Sequence, residues 1–252
     1  MKKYWYAILL AGVACTPTRN DTDEIQCIDA TKARTGRLVV LNHPLVHHHL
    51  SIIRDKNTNS SAFRFSLKRI AEQLVYEATK NLSTIAVNVS TPVADTICKC
   101  VDPNRKIFIA SILRAGLGIT NIASDIIPNA EIHLLGMYRD EKTHSPVWYY
   151  NKLPETFKNT HSITVFICDT MLATGGSASE VVKMYLRKGI PEENIIIICV
   201  ISALKGVNKL FEEFPKIKII TASVDRTLNQ ECYIVPGLGD AGDRIFNTVV
   251  AK

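Results

Sequence analysis

From Leu38 to Val250, short apolar runs alternate with stretches whose apolar residues recur every three or four positions. The runs at 107–113 (IFIASIL), 132–137, 163–168 (ITVFIC), 195–201 (IIIICVI) and 217–223 have the length and β-branched content of buried strands. Leu67, Ile70, Ala71, Leu74, Val75, Ala78 and Leu82 share one helical face, which predicts an amphipathic helix over 63–82. Further helices are predicted up to Ile127, over 177–187 and over 205–214, and Asn42-His43-Pro44 reads as a turn opening a short one. Strands and helices alternating in this way build βαβ units and a mostly parallel sheet covered on both faces. Such sheets bind ligands beyond the carboxyl ends of their strands. The chemistry is therefore expected just after Leu113, Met137, Cys168 and Ser223.

The first residues follow no such pattern. Lys2 and Lys3 precede an apolar stretch, then Ala14, Cys15 and a polar run, the shape of a cleavable signal peptide. An untargeted first segment is the other reading. Gly12 stands where a lipoprotein signal wants leucine. Residues 1–37 are set apart as a candidate targeting segment and extension, and 38–252, without linker or repeat, as one domain. The expected location is the cytoplasm, or an organelle or secretory route if residues 1–15 act as a signal.

Composition narrows the class. With 252 residues, 46% hydrophobic and 21% charged, the chain is not a disordered one. It has no apolar run of the 18 or so residues that a membrane span needs, so no integral membrane association is expected. Lys and Arg number 30 against 24 acids, a net +6 spread along the chain. That suits a small polyanion better than a nucleic acid, for which a basic tail would be expected. Seven cysteines make an odd count, Cys168 and Cys199 lie in strand-like runs, and Cys98-x-Cys100 lacks a second pair. Neither a disulfide framework nor a zinc site is read from them. His47, His48 and His49 are consecutive, and on a helix their side chains point about 100° apart, away from any common ion.

The most informative loop follows the third strand: Cys168-Asp169-Thr170-Met171-Leu172-Ala173-Thr174-Gly175-Gly176-Ser177. A strand delivers a carboxylate, and a Thr-Gly-Gly-Ser turn then opens a helix whose free N–H groups, with the hydroxyls of Thr174 and Ser177, can surround a phosphate. Asp169 would face a neighbouring sugar hydroxyl. No Gly-Lys-[Ser/Thr] follows, so this is not a Walker A loop.

Residues 168–177 resemble the phosphoribosyl diphosphate (PRPP) motif of type I phosphoribosyltransferases, in the form used by the uracil phosphoribosyltransferase family. The resemblance implies PRPP contacts from Asp169, Thr170, Met171, Leu172, Ala173, Thr174, Gly175, Gly176 and Ser177. Thr170 stands where many members of the wider superfamily have a second acid and where the uracil family usually lacks one.

Three further segments carry the same resemblance. Arg114-Ala115-Gly116-Leu117-Gly118 is similar to the diphosphate loop, and Arg139 falls in the second arginine segment, after which 140–153 resembles the family's arm or flap. A guanidinium suits diphosphate because it stays charged and donates bidentately. Trp148, Tyr149 and Tyr150 within that stretch equally suit a subunit interface. Tyr233-Ile234-Val235-Pro236-Gly237-Leu238-Gly239-Asp240-Ala241-Gly242-Asp243-Arg244 resembles the uracil-binding segment. There the resemblance gives Ile234, Gly239 and Ala241 to the base, Asp240 to the base and to PRPP, and a bracing role to Asp243 and Arg244. Asn247 stands where the family usually has glycine.

The resemblance, running from about Leu41 to Thr248, implies a type I phosphoribosyltransferase fold: a central, mostly parallel sheet flanked by helices, with a β-arm and a C-terminal base-binding hood. It implies transfer of the phosphoribosyl group from PRPP to uracil, giving UMP and diphosphate, in pyrimidine salvage. Arg114, Arg139 and Asp240 are the implied catalytic residues. Mg²⁺ would be held mainly through PRPP and also by Asp240. A homodimer or homotetramer and a GTP effector come from the same resemblance. The alternative is a non-catalytic nucleotide sensor or RNA-binding regulator on the same fold. Hypoxanthine or orotate as the base is disfavoured by Gly239–Ala241.

Overall fold

The computed structural model describes residues 36–127, 129–140 and 146–248, and only the backbone of Arg139. The candidate signal and nearly all of the extension therefore lie outside the described residues.

Regular structure begins with β1 (Leu38–Val40) and α1 (Pro44–Arg54). His43 caps α1, its Nδ1 accepting from the Leu45 N–H at 3.1 Å, and Pro44 fills the first turn, where its missing N–H costs nothing. The predicted amphipathic helix is α2 (Ser60–Thr79), buried along Phe63, Leu67, Ile70, Ala71, Leu74, Val75 and Ala78. It starts before Phe63 because Asn59 caps it, accepting from the Ala62 N–H at 2.9 Å, and it stops before Leu82, which packs on the core from the following turn.

β2 (Thr84–Ser90) and β3 (Asp95–Val101) form an antiparallel hairpin that pairs only with itself among the described residues. There follow β4 (Lys106–Leu113), α3 (Leu117–Ile126), β5 (Glu131–Arg139), β6 (Pro146–Asn151), β7 (Ile163–Cys168), β8 (Met171–Leu172) and α4 (Gly176–Arg187). β9 (Ile195–Ala203), α5 (Leu204–Glu213), β10 (Lys218–Asp225), β11 (Thr227–Leu228), β12 (Ile234–Val235) and α6 (Ala241–Phe246) complete the chain.

The central sheet runs β1-β10-β9-β7-β4-β5-β6, with β8 added beside β9, and every pairing is parallel except β5 with β6. β6 is the inner part of the expected arm. It turns back along β5 and brings Tyr149 against Tyr138, with ring centroids 6.5 Å apart. α1, α2, α3 and α6 pack on one face of the sheet, and α4 and α5 on the other. β7 is buried at all six positions, as a parallel strand covered on both faces must be. Among the described residues no helix is long and apolar enough to cross a membrane.

The five strands read from the sequence occupy the spatial order second-first-third-fourth-fifth. The order reverses between β4 and β7, so the chain leaves these neighbours in opposite directions and a crevice opens beyond their carboxyl ends. Arg114 follows one strand and Asp169 the other.

Candidate active site

The loop after β7 is shaped by two close backbone approaches. Gly175 caps α4 with φ +77°, a left-handed conformation that glycine takes at little cost. Its loop lies directly on the first turn of α5: a Cβ on Gly206 would stand 2.5 Å from the Ala173 carbonyl oxygen. The Gly176 N–H reaches Thr174 Oγ1 at 3.4 Å. The remaining first-turn amides of α4 have no helical partner and make an anion cradle.

Asp169 is half-buried and accepts from the Met171 N–H at 3.4 Å. The Thr170 carbonyl accepts from the Val200 and Ile201 N–H groups at 3.0 and 3.2 Å, pinning the strand end to β9. The Thr170 side chain is buried, and its Oγ1 has no hydrogen-bond partner among the described residues. Leu172 is buried in the core beneath α4, so only its main chain is available to a ligand. Burial pushes the Cys168 thiol up to about 12, so the sulfur beside Asp169 stays protonated and is no nucleophile.

Arg114 follows β4 across a cis peptide bond. Its half-exposed guanidinium donates from Nη2 to Asp243 Oδ1 at 3.0 Å and lies 6.0 Å from the Phe246 ring. The loop after β4 and the first turn of α6, 129 residues apart in sequence, are thus joined. Arg139 ends β5 beside Tyr138.

The segment expected to meet a base is held from behind by groups that sequence reading did not single out. Asp225, almost fully buried at the end of β10, takes both terminal nitrogens of Arg54 (2.8 and 2.7 Å) and the Gly237 N–H (2.8 Å). Arg54 also donates to the Gly237 carbonyl at 2.8 Å. Nothing local to Arg54 or Asp225 marks this pairing, because they lie 171 positions apart. Gly237 has φ +58°, and a Cβ there would fall 2.1 Å from the Ile234 carbonyl oxygen, so no other residue fits this turn.

Asp240 caps α6, its Oδ1 accepting from the Asp243 N–H at 2.9 Å. Arg244 donates to the carbonyls of Ile53, Leu238 and Asp55 and lies over the Phe63 ring at 4.4 Å. Asp243 and Arg244 therefore brace the segment, and Asp243 extends the brace to Arg114. Asn247 ends α6 with φ +55°, a left-handed cap that asparagine tolerates well among non-glycine residues.

These segments ring one cleft of about 660 Å³. Ala115 comes from the loop after β4; Met137, Tyr138 and Asp140 from the end of β5; Asp169, Thr170, Met171, Ala173 and Ser177 from the loop after β7 and the first turn of α4; and Ile234, Gly239, Asp240, Ala241 and Gly242 from the C-terminal segment. Arg114 stands at the edge, turned to Asp243. Thr174, Gly175 and Gly176 join Ala173 to Ser177 and are not themselves among the lining residues. Tyr233, the first residue of the base segment, also lines the cleft, as do Gln230, Glu231 and Cys232, which were not anticipated; Cys232 there takes φ +63°, a conformation the sequence does not betray. Among the described residues no group of three or more His, Cys, Asp or Glu side chains is placed to hold a metal ion. The carboxylates lining the cleft, Asp140, Asp169, Glu231 and Asp240, form no cluster of three, and so sparse a donor set fits an ion arriving on a substrate's own oxygens.

A parallel sheet with this reversal of order, a carboxylate loop at its crevice and a hood over it is a type I phosphoribosyltransferase fold. The family model for uracil phosphoribosyltransferase matches residues 40–248. The uracil phosphoribosyltransferase of Limosilactobacillus fermentum is 43% identical over 84% of this chain and 99% of its own length. That of Clostridium botulinum is 44% identical over the same shares. A solved protein from Aquifex aeolicus, 33% identical, superposes with a TM-score of 0.76 over 84% of this chain and 99% of that one. The chain belongs to the uracil phosphoribosyltransferase family, and it is a transferase.

Proposed function

We propose that this chain transfers the 5-phosphoribosyl group of PRPP to uracil, releasing diphosphate and giving UMP. The observation that carries this reading is the shared cleft, where the phosphate loop and the hood face each other across the sheet reversal. The 5′-phosphate would sit on the first-turn amides of α4 with the hydroxyls of Thr174 and Ser177, and Asp169 would accept from the ribose hydroxyls. Main-chain groups of Ile234, Gly239 and Ala241 would read the base edge. Cytosine, with an amine where uracil has an acceptor, would leave polar groups unpaired there.

The C1′–O bond of PRPP breaks and its electron pair leaves with the diphosphate. The uracil ring nitrogen forms the new bond to C1′ and gives up its proton. Charge grows on the leaving group, so Arg114 and Arg139 act by holding that charge, and the cleft acts by keeping both reactants in line. Mg²⁺, carried mainly by PRPP with Asp240 as the protein contact, would supply further neutralisation of the diphosphate oxygens. The Cys168 thiol, kept protonated by burial, takes no part.

The reading extends to residues 38–252 as the catalytic domain and 1–37 as a separate extension, in a pathway of pyrimidine salvage. It also extends to a homo-oligomer. The β2–β3 hairpin supports this, because Ile85, Val87, Val89, Cys98 and Cys100 make an apolar face left uncovered within the described chain. The deciding experiment is an assay with PRPP and each base separately, with and without Mg²⁺ and GTP, following nucleoside monophosphate. UMP formed only with uracil and Mg²⁺ is expected. No product with uracil, or product with purines, would overturn the proposal; the GTP arm tests the effector.

A further inference from the structure

Of the four strand ends where the sequence pattern places chemistry, the carboxyl end of β10 is the one that the proposed reaction leaves without a role. It carries Asp225, almost fully buried, and Arg54, the last residue of α1, faces it in a two-bond pair. Nη1 donates to Oδ2 at 2.8 Å and Nη2 to Oδ1 at 2.7 Å. Ser223 Oγ accepts from Nη2 at 3.0 Å and donates to Oδ1 at 3.1 Å. The pair then closes on a single residue of the base segment. Asp225 Oδ2 accepts from the Gly237 N–H at 2.8 Å, and Arg54 Nη1 donates to the Gly237 carbonyl at 2.8 Å. Both main-chain groups of Gly237 are gripped by one ion pair.

Packing does not fix this turn from outside. Ile234 and Leu238 are buried at its two ends, and Val235 pairs with Thr227. Between them Val235 and Pro236 are exposed, and Pro236 has no N–H to donate. Hollows of about 520 and 720 Å³ flank the turn, and Arg54 and Pro236 line both. With open space on its outer side, the turn is placed by polar bonds. Its place matters to the cleft. A Cβ on Gly237 would fall 2.1 Å from the Ile234 carbonyl oxygen, and Gly239 follows two residues on, so a shift of Gly237 moves two of the residues that would read the base.

We propose that Arg54 and Asp225 are positioning residues that set how tightly and how selectively the base is bound, by clamping Gly237 through its N–H and its carbonyl. The proposal rests on the uracil reading. A clamped turn cannot rearrange around the amine of cytosine, whereas a released one relieves the unpaired groups and loses discrimination.

The test is steady-state kinetics on Arg54→Lys, Arg54→Met and Asp225→Asn with uracil and PRPP, cytosine serving as a competitive inhibitor. Lysine keeps the charge but lacks the planar fork, so it cannot hold Gly237 and both carboxylate oxygens together. The KM for uracil should rise about tenfold or more in each variant, as a misplacement passed on from outside the site can cause, while kcat stays within about threefold. The KM for PRPP should stay near wild type. The ratio of the cytosine inhibition constant to the uracil KM should fall about fivefold or more. A merely structural role would lower kcat through a smaller folded fraction and leave the uracil KM and the ratio unmoved. That result in the two Arg54 variants, or wild-type values throughout, would overturn the proposal; if Asp225→Asn does not fold, these two variants decide it alone. A wild type that makes no UMP would sink the uracil reading and the clamp with it, whereas an active wild type with an unmoved KM in the variants sinks the clamp only.

Discussion

Arg114 donates to Asp243 at 3.0 Å, and this contact bridges the two loops that a sugar diphosphate and a base would each need. The pair is half-exposed on the arginine side, so it adds at most about 1 kcal/mol to stability. Its value lies in aim: with Asp243 in place, the guanidinium waits at the cleft edge instead of sampling solvent. Arg114→Ala should cut kcat by about 10²-fold or more, the usual cost of losing one group that stabilises developing charge. Asp243→Ala should cut kcat/KM by about tenfold, and the double variant should be no worse than Arg114→Ala, because coupled residues are not additive. Steady-state kinetics on the three variants checks this. Independent, additive losses would show that Asp243 does not act through Arg114.

The phosphate loop leans on Gly206, whose added Cβ would meet the Ala173 carbonyl at 2.5 Å. Backbone cannot yield as a flexible side-chain end can, so Gly206→Ala should displace 173–176 as a unit. Overpacking of this kind costs about 1–3 kcal/mol, and the chain should still fold. The KM for PRPP should rise about tenfold or more, while the dissociation constant of uracil alone, measured separately, stays near wild type; about 1.4 kcal/mol of lost positioning suffices. An unchanged KM for PRPP would mean that α5 does not set the loop.

Much of this was legible in the chain. The runs at 163–168 and 195–201 became β7 and β9 because a strand buried on both faces has no need of polar alternation, and the loop after β7 carried its chemistry in consecutive residues. Gly206 was not legible: it sits inside an ordinary helix start, and the carbonyl it makes room for is 33 positions away. Arg54 and Asp225 escaped for the same reason. The β2–β3 hairpin did leave a signal, the alternation of Ile85, Val87 and Val89, yet both its faces are largely exposed and no buried run announced it.

Two thiols fix an alkaline limit on stability. Burial pushes both Cys168 and Cys199 up from an ordinary 9.0 to about 12. Below pH 9 the folded and unfolded chains both hold these protons. Above it the unfolded thiols ionise while the folded ones do not, so stability falls from pH 9 towards 12, by up to about 1.4 kcal/mol per pH unit for each thiol. Urea unfolding at pH 8, 9.5 and 10.5 should show the decline, and it should flatten in Cys168→Ala/Cys199→Ala. At pH 8 an aromatic disulfide reagent should reach Cys168 and Cys199 only on unfolding. Rapid native-state labelling of these two would refute the assignment.

The hairpin's register places Ile85 opposite Cys100, Val87 opposite Cys98 and Val89 opposite Thr96, so these six residues share one face. Its charges, Asp95 and Lys99, fall on the other face with Ser90 and Ala86. A two-stranded ribbon alone is marginal in water, so an uncovered apolar face of this kind needs a partner. Because the face is uncharged, a second copy meets it without repulsion, and a two-fold axis would bring like against like. Wild type should sediment as a dimer or larger, and Val87→Lys should raise the dissociation constant at least about 100-fold, roughly 2.7 kcal/mol, by burying like charges across the axis. Mild oxidation should cross-link two copies through Cys98 or Cys100, and Cys98→Ser/Cys100→Ser should abolish the cross-link. A monomeric wild type, or a Val87→Lys variant that associates as tightly as the parent, would place the contact elsewhere.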